Sequence, residues 1–165
     1  MNVTIRPLKE QDAYTSVKWR NDPEVFKYTG NTYEHEILLE TELDWIRKVI
    51  SNNEERKEYR CAILADDVYV GNIYLTDIDE ESAHYHIFLG NKNYWGKGVA
   101  KKASVLILEY AFCKLGLNVV KLRVKEQNNN AYNLYKKLGF VETERNDNWI
   151  SMNLSKKTWQ NSYVD

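Results

Sequence analysis

The sequence predicts a mixed α/β fold in a single domain, and three observations carry that expectation. β-rich runs and helically spaced apolar runs follow one another in the order β-α-α-β-β-β-α-β-α-β-β. A helical segment stands between the fourth and fifth strands, as a parallel crossover requires. No repeat, low-complexity tract or Pro/Gly/Ser linker divides the 165 residues, a length that suits one core. Residues 1–155 read as that domain and 156–165 as a C-terminal tail.

The elements follow in order. "VTIRPL" alternates and meets Pro7, which suits a short first strand. "KEQDAYTSVKWRND" reads as a short helix stopped near Asn21-Asp22-Pro23. Leu39, Leu43, Ile46 and Ile50 keep helical spacing, and "NNEER" breaks it. "YRCAILADDVYVGNIYLTDI" reads as a hairpin turning at Asp66-Asp67, and "SAHYHIFLG" as a further strand. Val99, Ala103, Leu106, Ile107, Tyr110, Ala111 and Leu115 form a broad apolar helical face, with Gly116 as its cap. "NVVKLRV" reads as a buried strand. Ala131, Leu134, Tyr135 and Leu138 share one helical face that ends at Gly139. "FVETER" and "NWISMNL" close the domain as an antiparallel pair around Asn146-Asp147.

Composition narrows the function. A formal net charge of −1 with no Lys/Arg run argues against a nucleic-acid surface or a membrane patch. No run of 18 apolar residues predicts a membrane span, and the N-terminal residues lack the pattern of a signal peptide. Cys61 and Cys113 stand alone and read as buried structural thiols. His84 and His86 share a strand face, but only His35 could join them, so no metal site is expected. A cytoplasmic enzyme or binding domain is the default.

The most informative stretch is "NYWGKGVAKKA", residues 93 to 103. Gly96 and Gly98 stand between a strand and a helix. There the first backbone N–H groups of the helix lack internal partners, and the helix dipole adds positive potential. Such a junction can seat a phosphate or pyrophosphate, and Lys97, Lys101 and Lys102 add charge. Alternatively the glycines only shape a turn. The dinucleotide fingerprint is not met, because Lys101 occupies the third glycine position, and the G-x-x-x-x-G-K-[ST] loop is absent.

This loop, followed by "NNNAYNLYKKLGF", resembles the GNAT superfamily of acetyl-CoA-dependent acyltransferases. The family's loop motif [QR]-x-x-G-x-[GA] reads Asn93-Tyr94-Trp95-Gly96-Lys97-Gly98, departing at its first position. The second signature, N-x-x-A-x-x-L-Y-x-x-x-G-F, is met by Asn128, Ala131, Leu134, Tyr135, Gly139 and Phe140. "WRNDPEV" at 19–25 is similar to the branch of ribosomal-protein N-terminal, polyamine and nucleotide-amino-sugar acetyltransferases.

The resemblance implies a mixed central sheet of six to seven strands, with strands 4 and 5 parallel and splayed, flanked by helices. It implies acetyl-CoA as co-substrate and no metal. The pyrophosphate is expected on Gly96, Lys97, Gly98, Val99, Ala100 and Lys101 beside Trp95. The pantetheine arm is expected along Ile87, Phe88 and Leu89, with Asn128 capping the next helix and touching the arm. Tyr135 matches the family's acid for the leaving thiolate; its helical stripe also suits the core. His84, where relatives often carry Glu, His86 and Glu126 are candidate bases, and Asp77 and Glu81 are weaker ones. Arg20, Tyr28 and Tyr33 fall on the acceptor side. Arg20 suits an acceptor phosphate or carboxylate, or equally an acidic partner within the fold. Trp19 and Trp45 read as core anchors.

The implied reaction is direct transfer of acetyl to a primary amine. A nucleotide-linked amino sugar is the first choice of acceptor, and a protein N-terminus or a polyamine the alternatives. A non-catalytic acyl-CoA-binding domain is the rival class. Partners are then a small-molecule or peptide amine, with no nucleic acid and no membrane; monomer or homodimer stays open.

Overall fold

The structure, a computed structural model, describes residues 1–28 and 34–163. Its centre is a seven-stranded sheet: β1 (Val3–Pro7), β2 (Tyr59–Ala65), β3 (Val68–Thr76), β4 (Ser82–Leu89), β5 (Val119–Lys125), β6 (Val141–Asn146) and β7 (Trp149–Ser155). The spatial order is β1-β2-β3-β4-β5-β7-β6. Every pairing is antiparallel except β4 with β5. The helices are α1 (Ala13–Arg20), α2 (Pro23–Phe26), α3 (Leu39–Glu54), α4 (Val99–Glu109), α5 (Asn129–Leu138) and α6 (Lys156–Tyr163).

The two hairpins are fixed by short acidic turns. Asp66 and Asp67 have φ of +48° and +66°, and Asp147 and Asn148 have +50° and +69°. Positive φ at both central residues gives the turn whose twist matches the flanking strands, and Asp and Asn tolerate it. The second turn therefore lies one residue beyond the Asn146-Asp147 that the sequence suggested. Asp66 also ties down the edge: its N–H donates to the Asn2 carbonyl, and its carboxylate accepts from Asn2 N–H, both at 2.8 Å.

Alternation along the strands sorts two faces. On one, Val120, Leu122, Val124, Ile150, Met152 and Leu154 are buried with Ile107, Leu108, Tyr135 and Phe140 beneath α4 and α5. On the other, α1 and α3 cover Ala62 and Tyr74 through Ala13, Ile46 and Val49. Trp19, Val25 and Phe26 form a third cluster against Tyr69 and Phe88, so Trp19 is the core anchor expected of it.

Three local expectations are corrected. The segment from Lys156, read as a C-terminal tail, is the helix α6: Trp159 is buried and packs on Phe112 with ring centroids 5.9 Å apart. Two asparagines do not end α3, which continues to Glu54. α4 runs into a wide π-type turn at Tyr110–Lys114, where Leu115 N–H reaches the Tyr110 carbonyl at 3.0 Å. The extra residue rotates Cys113 off the apolar stripe, so its thiol is exposed; Cys61 is fully buried, and burial pushes its pKa up to about 12. Among the described residues no helix is long and apolar enough to cross a membrane.

Candidate active site

The parallel pair β4–β5 is in register only at Ser82↔Val119, Ala83↔Val120 and His84↔Lys121. Beyond His84, β4 keeps its partner β3 to Leu89, and β5 keeps β7 to Lys125. The strands therefore part, and among the described residues the facing edges of residues 85–88 and 122–125 have no strand partner. A ligand arm can add to such an edge as a strand would. The opening is part of a cleft of about 1530 Å³ that runs from Trp95, Gly96 and Ala100, past Ile87, Leu89, Val124 and Tyr135, to Arg20, Tyr28 and Trp45.

At the first end, α4 begins directly after the glycines. Gly96 and Gly98 have φ of +72° and +80°. A side chain there would meet no protein atom within 4 Å, so the space above the loop is open to a ligand. Lys102 N–H is the first taken up by the helix, by the Gly98 carbonyl at 3.2 Å. Among the described residues the N–H groups of Gly96 through Lys101 have no acceptor. Trp95 is fixed beside them, its indole N–H donating to the Leu89 carbonyl at 2.9 Å. This open, donor-rich loop and the parted strands fit a pyrophosphate with a long amide arm. Of Val99 only the backbone is available to a ligand, because its side chain is 1 % exposed and in the core. The Lys97 and Lys101 side chains are exposed and off the cleft wall, with the Lys97 ammonium 5.8 Å from the Tyr94 ring.

Gly98→Ala tests the loop. A Cβ at φ +80° strains the backbone by roughly 1–2 kcal/mol and enters the open space. Acetyl-CoA affinity is expected to fall by about tenfold or more, read by calorimetry, with little change in the folded far-UV spectrum. Unchanged affinity would separate the loop from the cofactor.

In the middle, Tyr135 lies edge-on to Tyr85, with centroids 5.6 Å apart and planes at 85°. It is 7 % exposed and lines the cleft. Burial pushes its phenol pKa up, and among the described residues its hydroxyl has no hydrogen-bond partner. Tyr85 differs: its hydroxyl is held 2.6 Å from Ser104 Oγ. Asn128 caps α5, its side-chain oxygen accepting from Ala131 N–H at 3.3 Å, and also lines the cleft. The Phe88 ring packs with Phe26 (5.0 Å) and Tyr74 (6.4 Å) on the acceptor side, and Phe88 lines the cleft.

The candidate bases separate. His84 and His86 both line the cleft. His86 is accessible to water, yet the surrounding protein, then Arg60, then His84 lower its pKa to about 4. It stands 3.0 Å from Thr76 Oγ1. Asp77 is on the cleft wall too. Glu126 is not brought to the site: it is exposed and bound to Arg145 at 3.1 Å. Glu81 lies outside the cleft, holding Asn118 at 2.8 Å.

At the acceptor end, Arg20 has its acidic partner within the fold. Its Nε is 2.7 Å from Glu42, whose other oxygen accepts from Ser16 at 2.7 Å. Glu42 is 1 % exposed. The Arg20 guanidinium also lies 4.3 Å from the Trp45 ring. Trp45 is the half-buried cleft wall between Arg20 and Arg60, as well as an anchor for α3. Tyr28 lines the cleft; Tyr33 lies outside the described residues. Arg60, Tyr74, Arg123 and Trp149 were not singled out from the sequence, although all four line the cleft. The only signal for Arg123 and Trp149 is their alternation with buried neighbours.

An open N–H loop, a wedge between parallel strands and a buried phenol facing that wedge define an acyl-CoA-dependent acyltransferase. Known proteins agree. A family model described as Acetyltransferase (GNAT) domain matches residues 2–141, and the chain belongs to that family. It is thus an acetyl-CoA-dependent N-acetyltransferase. Spermidine N(1)-acetyltransferase of Escherichia coli K12 is 31% identical over 147 residues, covering 87% of this chain and 75% of that protein. Among solved structures, apo FdhC, a nucleotide-linked sugar GNAT, superposes with a TM-score of 0.84 at 22% identity, over 98% of this chain and 91% of that one. Spermidine N-acetyltransferase from Vibrio cholerae in complex with CoA and spermine gives 0.83 at 23%, over 95% and 97%. These two structures share the fold.

Proposed function

We propose that the protein acetylates the primary amine of an anionic small molecule, a nucleotide-linked amino sugar being the class that fits best. The observation that carries this is the sign of charge around the cleft. Arg20, Lys27, Lys57, Arg60 and Arg123 line it, against Glu24, Glu58 and Asp77. Glu24 is bound to Lys92 at 2.7 Å and Glu58 to Arg60 at 3.0 Å. Arg20 is likewise held by Glu42 and Lys57 by Glu55, so among the described residues the wall charges with no ion-pair partner are Lys27 and Arg123 against Asp77. A polycation entering such a cleft meets like charge, whereas a diphosphate meets donors. The acidic stretch around α3 does not reverse this. Glu42 is spent on Arg20, Asp44 sits 3.6 Å from Arg47, and Glu34, Glu36 and Glu40 are exposed and off the cleft wall.

In this reading acetyl-CoA supplies an activated acyl carbonyl. The chain's residues do the rest. Backbone N–H groups on the free edge of β4 polarise the carbonyl oxygen. His84 takes the proton that the amine loses as its C–N bond forms, directly or through water. His86 stays neutral above about pH 4 and serves as a hydrogen-bonding group to Thr76. Tyr135 gives its hydroxyl proton to the sulfur as the C–S bond breaks.

A polyamine acceptor is the second reading, supported by the identity to the Escherichia coli spermidine enzyme, with Asp77 as the anionic candidate. Release of free CoA, measured with UDP- and dTDP-linked amino sugars, spermidine, spermine and short peptides, decides. The highest kcat/KM is expected for a nucleotide-linked amino sugar. A spermidine value above it would overturn the acceptor assignment.

A further inference from the structure

The open sheet face beyond the wedge carries a feature that acetyl transfer itself does not use. On β5, Val120, Leu122 and Val124 point into the core, so Lys121, Arg123 and Lys125 point the other way. On β7, Ile150, Met152 and Leu154 point inward, leaving Trp149, Ser151 and Asn153 beside those cations. Trp149 is opposite Lys125 in the ladder. The Arg123 guanidinium lies 4.9 Å and the Lys125 ammonium 5.6 Å from its ring centre. The helices α1 and α3 cover this face only over β2 to β4, and among the described residues none covers Trp149.

These cations are not spent on the fold. Among the described residues no carboxylate lies within 4.0 Å of Arg123 or Lys125, while Arg20 and Arg60 each hold one. Lys121 is nearer an acid: the N–H groups of Glu81 and Ser82 hold the Asp79 carboxyl below its usual range, and the Lys121 charge adds to this. Arg123 and Trp149 border the same cleft as His84 and Tyr135. Lys121 is paired with His84, and Arg123 and Lys125 follow two and four residues along β5, roughly 7 and 13 Å from that register at about 3.3 Å per residue.

We propose that Trp149, Arg123 and Lys125 form the binding site for the nucleoside-diphosphate half of the acceptor, the base stacked on the indole and the phosphates held by the two cations. The proposal rests on the anionic-acceptor reading above and adds to it where the nucleotide lies. Charge complementarity selects this occupant. An indole with two unpaired cations close to its ring suits an aromatic base joined to phosphates, and its continuity with the wedge points the attached sugar amine at the thioester. Aromatic stacking on a base and charge-assisted bonds to phosphate are sequence-tolerant contacts of useful strength.

The test titrates CoA-saturated protein calorimetrically with UDP, dTDP and GDP, in the wild type and in Trp149→Leu and Arg123→Ala. KM and kcat for a nucleotide-linked amino sugar are measured beside it. Saturable binding of at least one diphosphate is expected, weakened about tenfold by each substitution. KM should rise more than kcat falls, with CoA affinity held. Both variants are on a solvated face; coincident melting curves would confirm that they fold. No diphosphate binding to the wild type, or equal binding in the variants, would overturn the site. Turnover of nucleotide-linked amino sugars with KM untouched by either variant would also overturn it, leaving the acceptor class intact. Diphosphate binding lost in Trp149→Leu, together with turnover only on spermidine, would keep the site and sink the acceptor assignment.

Discussion

Tyr135→Phe is expected to lower kcat by about two to three orders of magnitude, the range of a positioned general acid, while acetyl-CoA affinity changes less than about twofold. The phenol is buried against Tyr85 and Phe140, and these contacts are made by the ring. Phenylalanine preserves them. The hydroxyl bonds to no described residue, so the fold loses nothing when it is removed, and the melting temperature should stay within about 2 °C. What the substitution removes is one proton next to the opening between β4 and β5. Burial raises the pKa of that proton, which keeps the phenol neutral and able to donate across the physiological range. A hydroxyl with a structural job would be paired, as that of Tyr85 is with Ser104. The measurement is steady-state CoA release with calorimetric acetyl-CoA binding on the same samples. A kcat within about threefold of wild type would remove Tyr135 from the chemistry and leave its ring as packing.

The parts of this site that follow local rules were legible in the sequence. Gly96 and Gly98 announce the loop because positive φ before a helix selects glycine. Asn128 announces a cap because its side chain serves a residue three positions on. The alternation in "HYHIFL" announces that His84, His86 and Phe88 share a face. What was not legible depends on residues far apart in the chain. Arg20 could serve an acceptor or an internal acid, and only the packing of α1 on α3 puts Glu42 against it. Glu126 follows β5 as a candidate base would, but the β6 strand brings Arg145 to it. Lys156 to Tyr163 has the polar composition of a tail, and its single Trp159 reads as helix anchor only once Phe112 is known to lie beneath it. Arg123 and Trp149, 26 positions apart, come together as diagonal neighbours across the β5–β7 ladder, a register no local pattern records.

Gly90→Ala is expected to destabilise the protein by about 3 kcal/mol, the upper part of the range for overpacking, lowering the melting temperature by roughly 6–12 °C for a chain of this length. A Cβ at Gly90 would sit 1.9 Å from Trp19 Cδ2 and 2.3 Å from its Cγ and Cε3. The indole cannot simply withdraw. Tyr69 lies 4.7 Å from it, Phe88 6.3 Å, and Val25 and Phe26 complete the cluster. The cost is therefore steric rather than conformational, and Gly116→Ala separates the two: φ there is +67° with nothing within 4 Å, so strain of roughly 1–2 kcal/mol is all it should show. Because the displaced ring sits on α1, whose last residue is Arg20, and against Phe88 on the cleft wall, acceptor KM should rise in Gly90→Ala while acetyl-CoA binding at the far loop changes little. The decisive measurement is a double-mutant cycle with Trp19→Ala, which removes Cγ, Cδ2 and Cε3 together. Relief of the clash predicts that the double variant is more stable than the sum of the two losses allows, by 1 kcal/mol or more, a size of coupling typical of residues in direct contact. Strict additivity would mean that the backbone at Gly90 yields on its own, and that Trp19 does not set the position of the acceptor wall.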